Sequence, residues 1–213
     1  MRFISKASRA RQWMTLFFVS VSIVAVSTVS YAAQHSVGEH FGGGTVFYIL
    51  QQGDPGYDPA QQHGLIAAPA DLDVKGSVGI AGMYFWSSGQ KNSMRKEHFA
   101  YEQVFNTSTL IGQGAENTKK ILALHPAAAH PTIAAAVASA YKGGGFNDWY
   151  LPSKDELHKL YLNKAVVGGF ADYDYWSSTE NSALNAWVEL FANGYQYLDD
   201  KMDADCVRPV RSF

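Results

Sequence analysis

The chain has 213 residues, with 17 Lys and Arg against 19 Asp and Glu, which gives a net charge of −2. Residues 1–32 contain four of the basic residues and none of the acidic ones, so residues 33–213 carry a net charge of −6. Because nucleic-acid-binding proteins present a basic surface, this charge excludes a general nucleic-acid partner. The lone cysteine, Cys206, excludes an internal disulfide. We expect Cys206 to be buried in a late strand, with a dimerising or catalytic thiol as the alternative.

The N-terminal segment, residues 1–32, has the pattern of a cleavable secretory signal peptide. An apolar run from Trp13 to about Val26 follows four basic residues: Arg2, Lys6, Arg9 and Arg11. Ser30 and Ala32 are the small residues that a signal peptidase requires, which predicts cleavage after Ala32. The apolar run is shorter than the ~20 residues of a membrane-spanning helix, so we expect no stable membrane anchor after cleavage. The protein is therefore predicted to be exported to the periplasm, the cell surface or the medium.

After cleavage, the sequence predicts a polar arm over residues 33–41 and one domain over residues 42–213. No Pro- or Ser-rich linker divides this domain. Its first part has β-branched and aromatic runs separated by turn residues. These runs predict three strands: Thr45–Leu50, His63–Pro69 and Met83–Trp86.

Three helices are predicted in the middle of the chain. The first two are Asn117–Leu124 and Pro131–Tyr141. The third begins after Ser153, because Ser153 and Glu156 have the spacing of a capping box. Glu156 is therefore interpreted as a capping carboxylate, and the helix shows an apolar stripe at helical spacing formed by Leu157, Leu160 and Tyr161.

The last part of the chain returns to short strands. Asn193-Gly194 between two aromatic runs is a strong signal for a β-hairpin. Four strands are predicted here: Tyr173–Ser178, Ala186–Phe191, Tyr195–Leu198 and Cys206–Val210.

Seven ordered motifs resemble a bacterial domain family, named after the C-terminal domain of the collagen-like adhesin Lcl. The resemblance covers about residues 42–213, and the motifs are Gly64–Pro69, Ile111–Thr118, Asp148–Leu157, Gly168–Phe170, Tyr175–Glu180, Ala186–Trp187 and Val207–Phe213. The resemblance implies one α+β domain of the C-type-lectin-like fold, with short antiparallel strands and two to three helices. It also implies binding of sulfated glycosaminoglycans at a cell surface.

The chain departs from this family in two respects. Ser87 stands where members often carry a cysteine, and the collagen-like repeat is absent, so the oligomeric state stays open. The helix start at Ser153 and the ending Arg211-Ser212-Phe213 are also distantly similar to formylglycine-generating enzymes. Their chemistry uses a pair of cysteines, and this chain has only Cys206. We therefore predict that the protein is not an enzyme.

A repeated Trp-Ser-Ser tripeptide suggests a ligand groove, because indole rings stack on sugar rings and hydroxyls bind beside them. It makes Trp86, Trp176 and Ser177 candidate ligand-binding residues. The alternative is that both tryptophans pack in the core, and for Trp176 the core is favoured.

One concentrated basic segment could hold a sulfated or phosphorylated glycan. Its candidate residues are Lys91, Arg95 and Lys96, with His98 beside them and Lys119 and Lys120 as neighbours. A solvated loop face is at least as good an interpretation.

An acidic loop near the C-terminus offers weak calcium candidates: Asp199, Asp200, Asp203 and Asp205. Calcium needs six to eight oxygen ligands, and the loop lacks the glycine and the final glutamate of an EF-hand, so the favoured prediction is no metal and no cofactor.

Next to this loop, Arg208 and Arg211 are predicted to project to opposite faces of one strand. We expect one of them to pair with Glu180 or Asp148.

These features predict an exported, non-catalytic binding module that recognises a glycan, such as a sulfated polysaccharide, or another surface polymer. The alternatives are a structural or protein-binding envelope component and, less favoured, an enzyme related to formylglycine generation.

Overall fold

The computed structural model describes residues 34–72, 82–87 and 102–213 of the chain. The strands of these ranges are, in chain order, β1 (His40–Phe41), β2 (Gly44–Ile49), β3 (Gly64–Ala67), β4 (Met83–Tyr84), β5 (Asp174–Glu180), β6 (Asn185–Leu190), β7 (Tyr195–Asp200), β8 (Asp205–Cys206) and β9 (Val210–Ser212). The helices are α1 (Gly114–Leu124), α2 (Ala134–Ala140), α3 (Lys154–Leu162) and α4 (Lys164–Val167), with a 3₁₀ turn at Gly143–Gly145.

The first sheet joins the two ends of the described chain. Its strands are antiparallel and lie in the order β1-β2-β3-β9, so the final strand pairs with β3 through Leu65 and Ser212. The first two predicted strands are confirmed as β2 and β3. The described residues from 34 to 213 belong to one compact unit.

The second sheet has the order β4-β8-β5-β6-β7 and is antiparallel except for the pairing of β5 with β8. The predicted hairpin is confirmed, because β6 and β7 pair from Asn185–Asp200 to Leu190–Tyr195. Gly194 has a φ of 79° at the turn, and its N–H donates to the Leu190 carbonyl at 2.7 Å. A positive φ of this kind is what glycine tolerates best.

The predicted strand Cys206–Val210 is wrong as one element. β8 ends at Cys206 in the second sheet, and β9 begins at Val210 in the first. The residues between cross from one sheet to the other, and Pro209 has no N–H to donate to a ladder. The prediction that Arg208 and Arg211 project from opposite faces of one strand is wrong for the same reason.

The helices differ in extent from the sequence prediction. α1 begins at Gly114, three residues before the predicted start, and α2 begins at Ala134, three residues after it. α4 was not predicted, so the described chain has four α-helices where two to three were expected. The early start of α1 depends on a tertiary contact, since the Gly114 N–H bonds to the Glu156 carboxylate on α3.

The core lies on both faces of the second sheet. Adjacent residues of a strand point to opposite faces, and Trp176 packs with Ile121 of α1 while Tyr175 packs with Leu160 of α3. The helices therefore cover this sheet from two sides, and the structure confirms the predicted single α+β domain. None of the helices in the described ranges has the length and apolar composition that a membrane span requires.

The capping box at the start of α3 is confirmed, with both of its hydrogen bonds present. The Ser153 hydroxyl is buried, accepts from the Glu156 N–H at 3.3 Å and donates to the Leu110 carbonyl at 2.9 Å.

Ser153→Ala removes both bonds, so we expect it to lower the free energy of unfolding by about 1–2 kcal/mol. Urea unfolding followed by tryptophan fluorescence measures this change. A loss below ~0.3 kcal/mol would contradict the role of the cap.

Candidate functional site

The two tryptophans of the repeated tripeptide lie in the core. Trp86 and Trp176 are each 0% exposed. The Trp86 indole N–H donates to the Ser177 carbonyl at 2.8 Å, and that of Trp176 donates to the Tyr84 carbonyl at 2.7 Å. These bonds tie β4 and its following residues to β5. The core interpretation favoured for Trp176 therefore holds for both rings.

Ser177 is buried as well, and its hydroxyl donates to the Trp187 carbonyl at 2.7 Å. The prediction that Trp86, Trp176 and Ser177 line a ligand groove is corrected by this burial, because no face of these side chains reaches solvent. A buried indole or hydroxyl needs an internal partner, and each of the three has one. The tripeptide repeat reflects strand packing.

The basic segment with Lys91, Arg95 and Lys96 lies outside the described residues, as does the signal peptide. Its predicted neighbours Lys119 and Lys120 are described and lie on α1. Lys119 is exposed and forms an ion pair with Glu116 at 3.6 Å. The Lys120 ammonium donates to the Asn106 carbonyl at 2.6 Å.

A groove of about 350 Å³ runs beside Lys120 between α1 and the segment that precedes it. Phe105 is its most exposed apolar side chain, at 69%. The remaining lining residues combine an amide with apolar groups: Gln103, Val104, Ala123 and Leu124. The sequence analysis missed this groove, because a single phenylalanine in a loop has no local signal of exposure.

The backbone next to the groove is held by Glu180 of β5. The Glu180 carboxylate accepts from the Val104 N–H at 2.9 Å, and the Glu180 N–H donates to the Thr107 hydroxyl at 2.9 Å. The same carboxylate forms a buried ion pair with Lys201, whose ammonium lies 4.5 Å from the centre of the Trp86 ring. Phe105 is therefore displayed from a fixed backbone.

The acidic loop brings three of its four predicted calcium candidates near one another: Asp199, Asp203 and Asp205. Asp199 and Asp200 are adjacent on β7 and point to opposite faces of the sheet. Asp199 and Asp205 also interact with Asp174 of β5, which the sequence analysis did not single out. In the part of the chain that the structure describes, no group of three or more His, Cys, Asp or Glu side chains is placed to hold a metal ion.

Asp205 is the most buried member of this acidic group, with 6% exposure. Among the residues that the structure describes, its buried Oδ2 atom has no hydrogen-bond partner, and neither does Oδ1 of Asp174. Burial, followed by the charges of Asp199, Asp174 and Asp203, raises the pKa of Asp205 to about 8. Asp205 is therefore largely protonated at neutral pH, which reduces the repulsion among these carboxylates.

The two C-terminal arginines have structural partners. Arg211 pairs with Asp148 through bonds of 2.8 and 2.7 Å, as predicted for one arginine and one of its candidate acids. Arg208 pairs with Asp71, and the other candidate acid, Glu180, pairs with Lys201. The Arg211 guanidinium holds the pKa of Asp148 below its usual range.

Glu156 is a buried structural carboxylate. It accepts hydrogen bonds from the Ser153 and Gly112 N–H groups, both at 2.8 Å. Burial nevertheless raises its pKa to about 7. The carboxylate joins the starts of α1 and α3, which supports the capping interpretation.

Cys206 is buried in β8, as predicted. Burial, together with the neighbouring carboxylates, raises the pKa of its thiol to about 12. The thiolate is the nucleophilic form of cysteine, and it is scarcely populated at neutral pH when the pKa is this high. The structure therefore favours a core role for this side chain.

The fold and these interactions define a single α+β domain whose buried charges serve its architecture. Residues 86–211 match the family of the Lcl C-terminal domain, and this match covers more than half of the chain. The protein belongs to the Lcl C-terminal domain family, as the seven motifs predicted. The matched region contains the groove beside Phe105 and excludes residues 34–85.

Comparison with solved structures gives a fold likeness alone. A fimbrial protein from Bacteroides ovatus ATCC 8483 aligns with a TM-score of 0.40 and 16% sequence identity. The alignment covers 71% of this chain and 36% of that one, so this chain spans about a third of the length of the fimbrial protein. No curated protein matches the chain.

Proposed function

We propose that the protein is an exported, non-catalytic binding module that recognises an anionic polysaccharide through the groove beside Phe105. The observation that carries this proposal is the exposed ring of Phe105, 69% accessible, which lines one groove with Lys120 and is held on a fixed backbone. An aromatic side chain offers a large apolar face to a ligand, and ammonium groups bind sulfate or carboxylate groups. Membership of a family named after an adhesin domain is consistent with this role.

The groove requires little rearrangement before it binds. Val104 and Thr107 are bonded to Glu180 on both sides of Phe105, and the Lys120 ammonium is bonded to the Asn106 carbonyl. A rigid site loses less conformational freedom when a ligand binds. This favours recognition of a flexible polymer by a preformed surface.

Charge at the groove comes from two parts of the chain. Lys119 and Lys120 lie on α1, and the exposed ion pair between Lys119 and Glu116 is weak enough to yield to a ligand. The sequence analysis predicts a second contribution from Lys91, Arg95 and Lys96 of the basic segment.

The test compares binding of heparin and chemically desulfated heparin to the purified protein. We expect heparin to bind, and Phe105→Ala and Lys120→Ala each to weaken it at least threefold. Charge reversal of Lys91, Arg95 and Lys96 together is expected to weaken it more than tenfold. Lys142→Ala is the matched control, because Lys142 is an exposed lysine outside the groove. Binding should fall as salt rises, since exposed charges are screened.

Three results would contradict the proposal. Equal binding of heparin and its desulfated form would remove the role of charge. Unchanged binding by both groove variants would place the site elsewhere. Loss of heparin binding in EDTA would require a cation that the proposal does not include. Binding of a protein, and of no polysaccharide, would favour the alternative of a protein-binding envelope component.

A further inference from the structure

A second cleft opens at one end of the first sheet, outside the family-matched region. Its volume is about 190 Å³. The end of β2 and the following residue supply an apolar wall, Ile49 and Leu50, and the loop before β3 supplies Tyr57, Asp58 and Gln61. Gln34, from the predicted polar arm, completes the rim.

Several polar side chains at this cleft are available to form hydrogen bonds with a ligand. Within the described chain, the side-chain amides of Gln34 and Gln61 and the Tyr57 hydroxyl form no hydrogen bond, and Asp58 uses only Oδ1, which accepts from the Ala60 N–H at 2.8 Å. The amides and the hydroxyl can donate and accept hydrogen bonds, and the Asp58 carboxylate can accept them. Tyr57 is 40% exposed, so part of its ring is accessible as well.

The walls of the cleft are held without a ligand. Asp54 Oδ2 accepts from the Gln51 N–H and from the Tyr48 hydroxyl, both at 2.7 Å. The Tyr57 N–H donates to the Asp54 carbonyl at 3.1 Å. Gln62 holds the N-terminal arm at His35, because its side chain accepts from the His35 N–H at 2.5 Å and donates to the His35 carbonyl at 3.0 Å. The loop and the arm are therefore joined into one preformed site.

Size and charge define the class of ligand. Pockets for drug-sized ligands measure roughly 300–1,000 Å³, so this cleft suits a ligand of about one ring. Among the described residues that line it there is a carboxylate and no Lys or Arg, which disfavours sulfated or carboxylated ligands. One aromatic ring, an apolar wall, and amide and carboxylate groups match a molecule with an apolar face and several hydroxyls.

We infer that the cleft bounded by Tyr57, Asp58 and Gln61 binds a single uncharged sugar ring, such as a neutral hexose or an N-acetylated hexosamine, without a metal ion. The ring of Tyr57 packs on the C–H face of the sugar, and Asp58 and Gln61 bond to its hydroxyls. This site is separate from the groove beside Phe105 and takes a different class of sugar. Together they would allow recognition of a polymer with both neutral and anionic units.

Saturation-transfer NMR on the purified protein tests this site, with the methyl glycosides of glucose, galactose and N-acetylglucosamine as probes. We expect saturation transfer to at least one probe, unchanged by EDTA. Tyr57→Ala and Gln61→Ala are each expected to weaken its binding at least fivefold. Tyr173→Ala is the matched control, because Tyr173 is an exposed tyrosine outside the cleft. Circular dichroism establishes that each variant is folded.

The variants distinguish this cleft from the groove beside Phe105. Tyr57→Ala should retain heparin binding, and Phe105→Ala should retain the methyl glycoside. Absence of saturation transfer to all three probes would overturn the inference, as would equal transfer in wild type and in both folded cleft variants. Loss of the methyl glycoside signal in Phe105→Ala would also overturn it, because the sugar would then occupy the groove.

Discussion

Replacing Arg208 with methionine is expected to lower the free energy of unfolding by about 3–5 kcal/mol, the range for breaking a buried ion pair. Arg208 is 1% exposed, and its Nε donates to Asp71 Oδ1 at 2.7 Å. Its remaining N–H groups donate to three backbone carbonyls, those of Ala68, Gly168 and Gly169. Methionine fills a similar volume but removes all of these hydrogen bonds and leaves the Asp71 carboxylate without its cationic partner.

Arg208→Lys keeps the positive charge but removes the planar guanidinium, so it tests how much stability depends on the hydrogen-bonding geometry. The guanidinium is planar and lies 3.9 Å from the centre of the Phe170 ring, while its N–H groups reach four acceptors. An ammonium cannot reproduce this fork, so we expect a loss of at least ~2 kcal/mol. Urea unfolding measures both variants, and Lys142→Met should change stability by no more than ~0.5 kcal/mol. A loss of unfolding free energy below ~1 kcal/mol for Arg208→Met would show that the contacts of Arg208 contribute little to stability.

Asp205→Asn is expected to stabilise the protein increasingly as the pH rises from about 4 to about 8. The pKa of Asp205 is raised from 3.8 to about 8 in the folded protein. Between these values the folded state retains a proton that the unfolded state has released, so the free energy of unfolding contributed by Asp205 falls as the pH rises. Asparagine does not titrate and removes this dependence.

The difference in unfolding free energy between Asp205→Asn and wild type measures this effect. Its slope should approach ~1.4 kcal/mol per pH unit within the window, which corresponds to one proton. Below pH 4 the difference should be constant, because Asp205 is protonated in both states. Asp172→Asn is the control, since Asp172 is exposed. A flat difference from pH 4 to pH 8 would show that Asp205 is ionised in the folded protein.

Local patterns predicted the elements that local interactions stabilise. The capping box of Ser153 and Glu156 and the hairpin at Asn193-Gly194 were both predicted correctly. Each depends on residues a few positions apart and on the backbone conformations that they favour. The start of α1 was placed too late, because Gly114 is held by Glu156, which is far away in the sequence.

The candidate sites were predicted less well. Trp86 and Trp176 were proposed as ligand residues, yet a tryptophan has the same local sequence signal whether its face is buried or exposed. Phe105 was missed because nothing in the local sequence indicates that its ring is exposed. The cleft at Tyr57 requires Gln34 from a distant segment, and no spacing in the sequence indicates that contact.

The sequence by itself determined the family, the net charge, the lone cysteine and the α+β class, because these depend on composition and on ordered local motifs. The tertiary structure decided which aromatic rings are exposed and which acid each buried cation pairs with, as Arg208 with Asp71 and Lys201 with Glu180. These choices depend on which distant segments meet in the core. A buried charge needs a partner inside the fold, and the crossing between the two sheets places Arg208 beside Asp71.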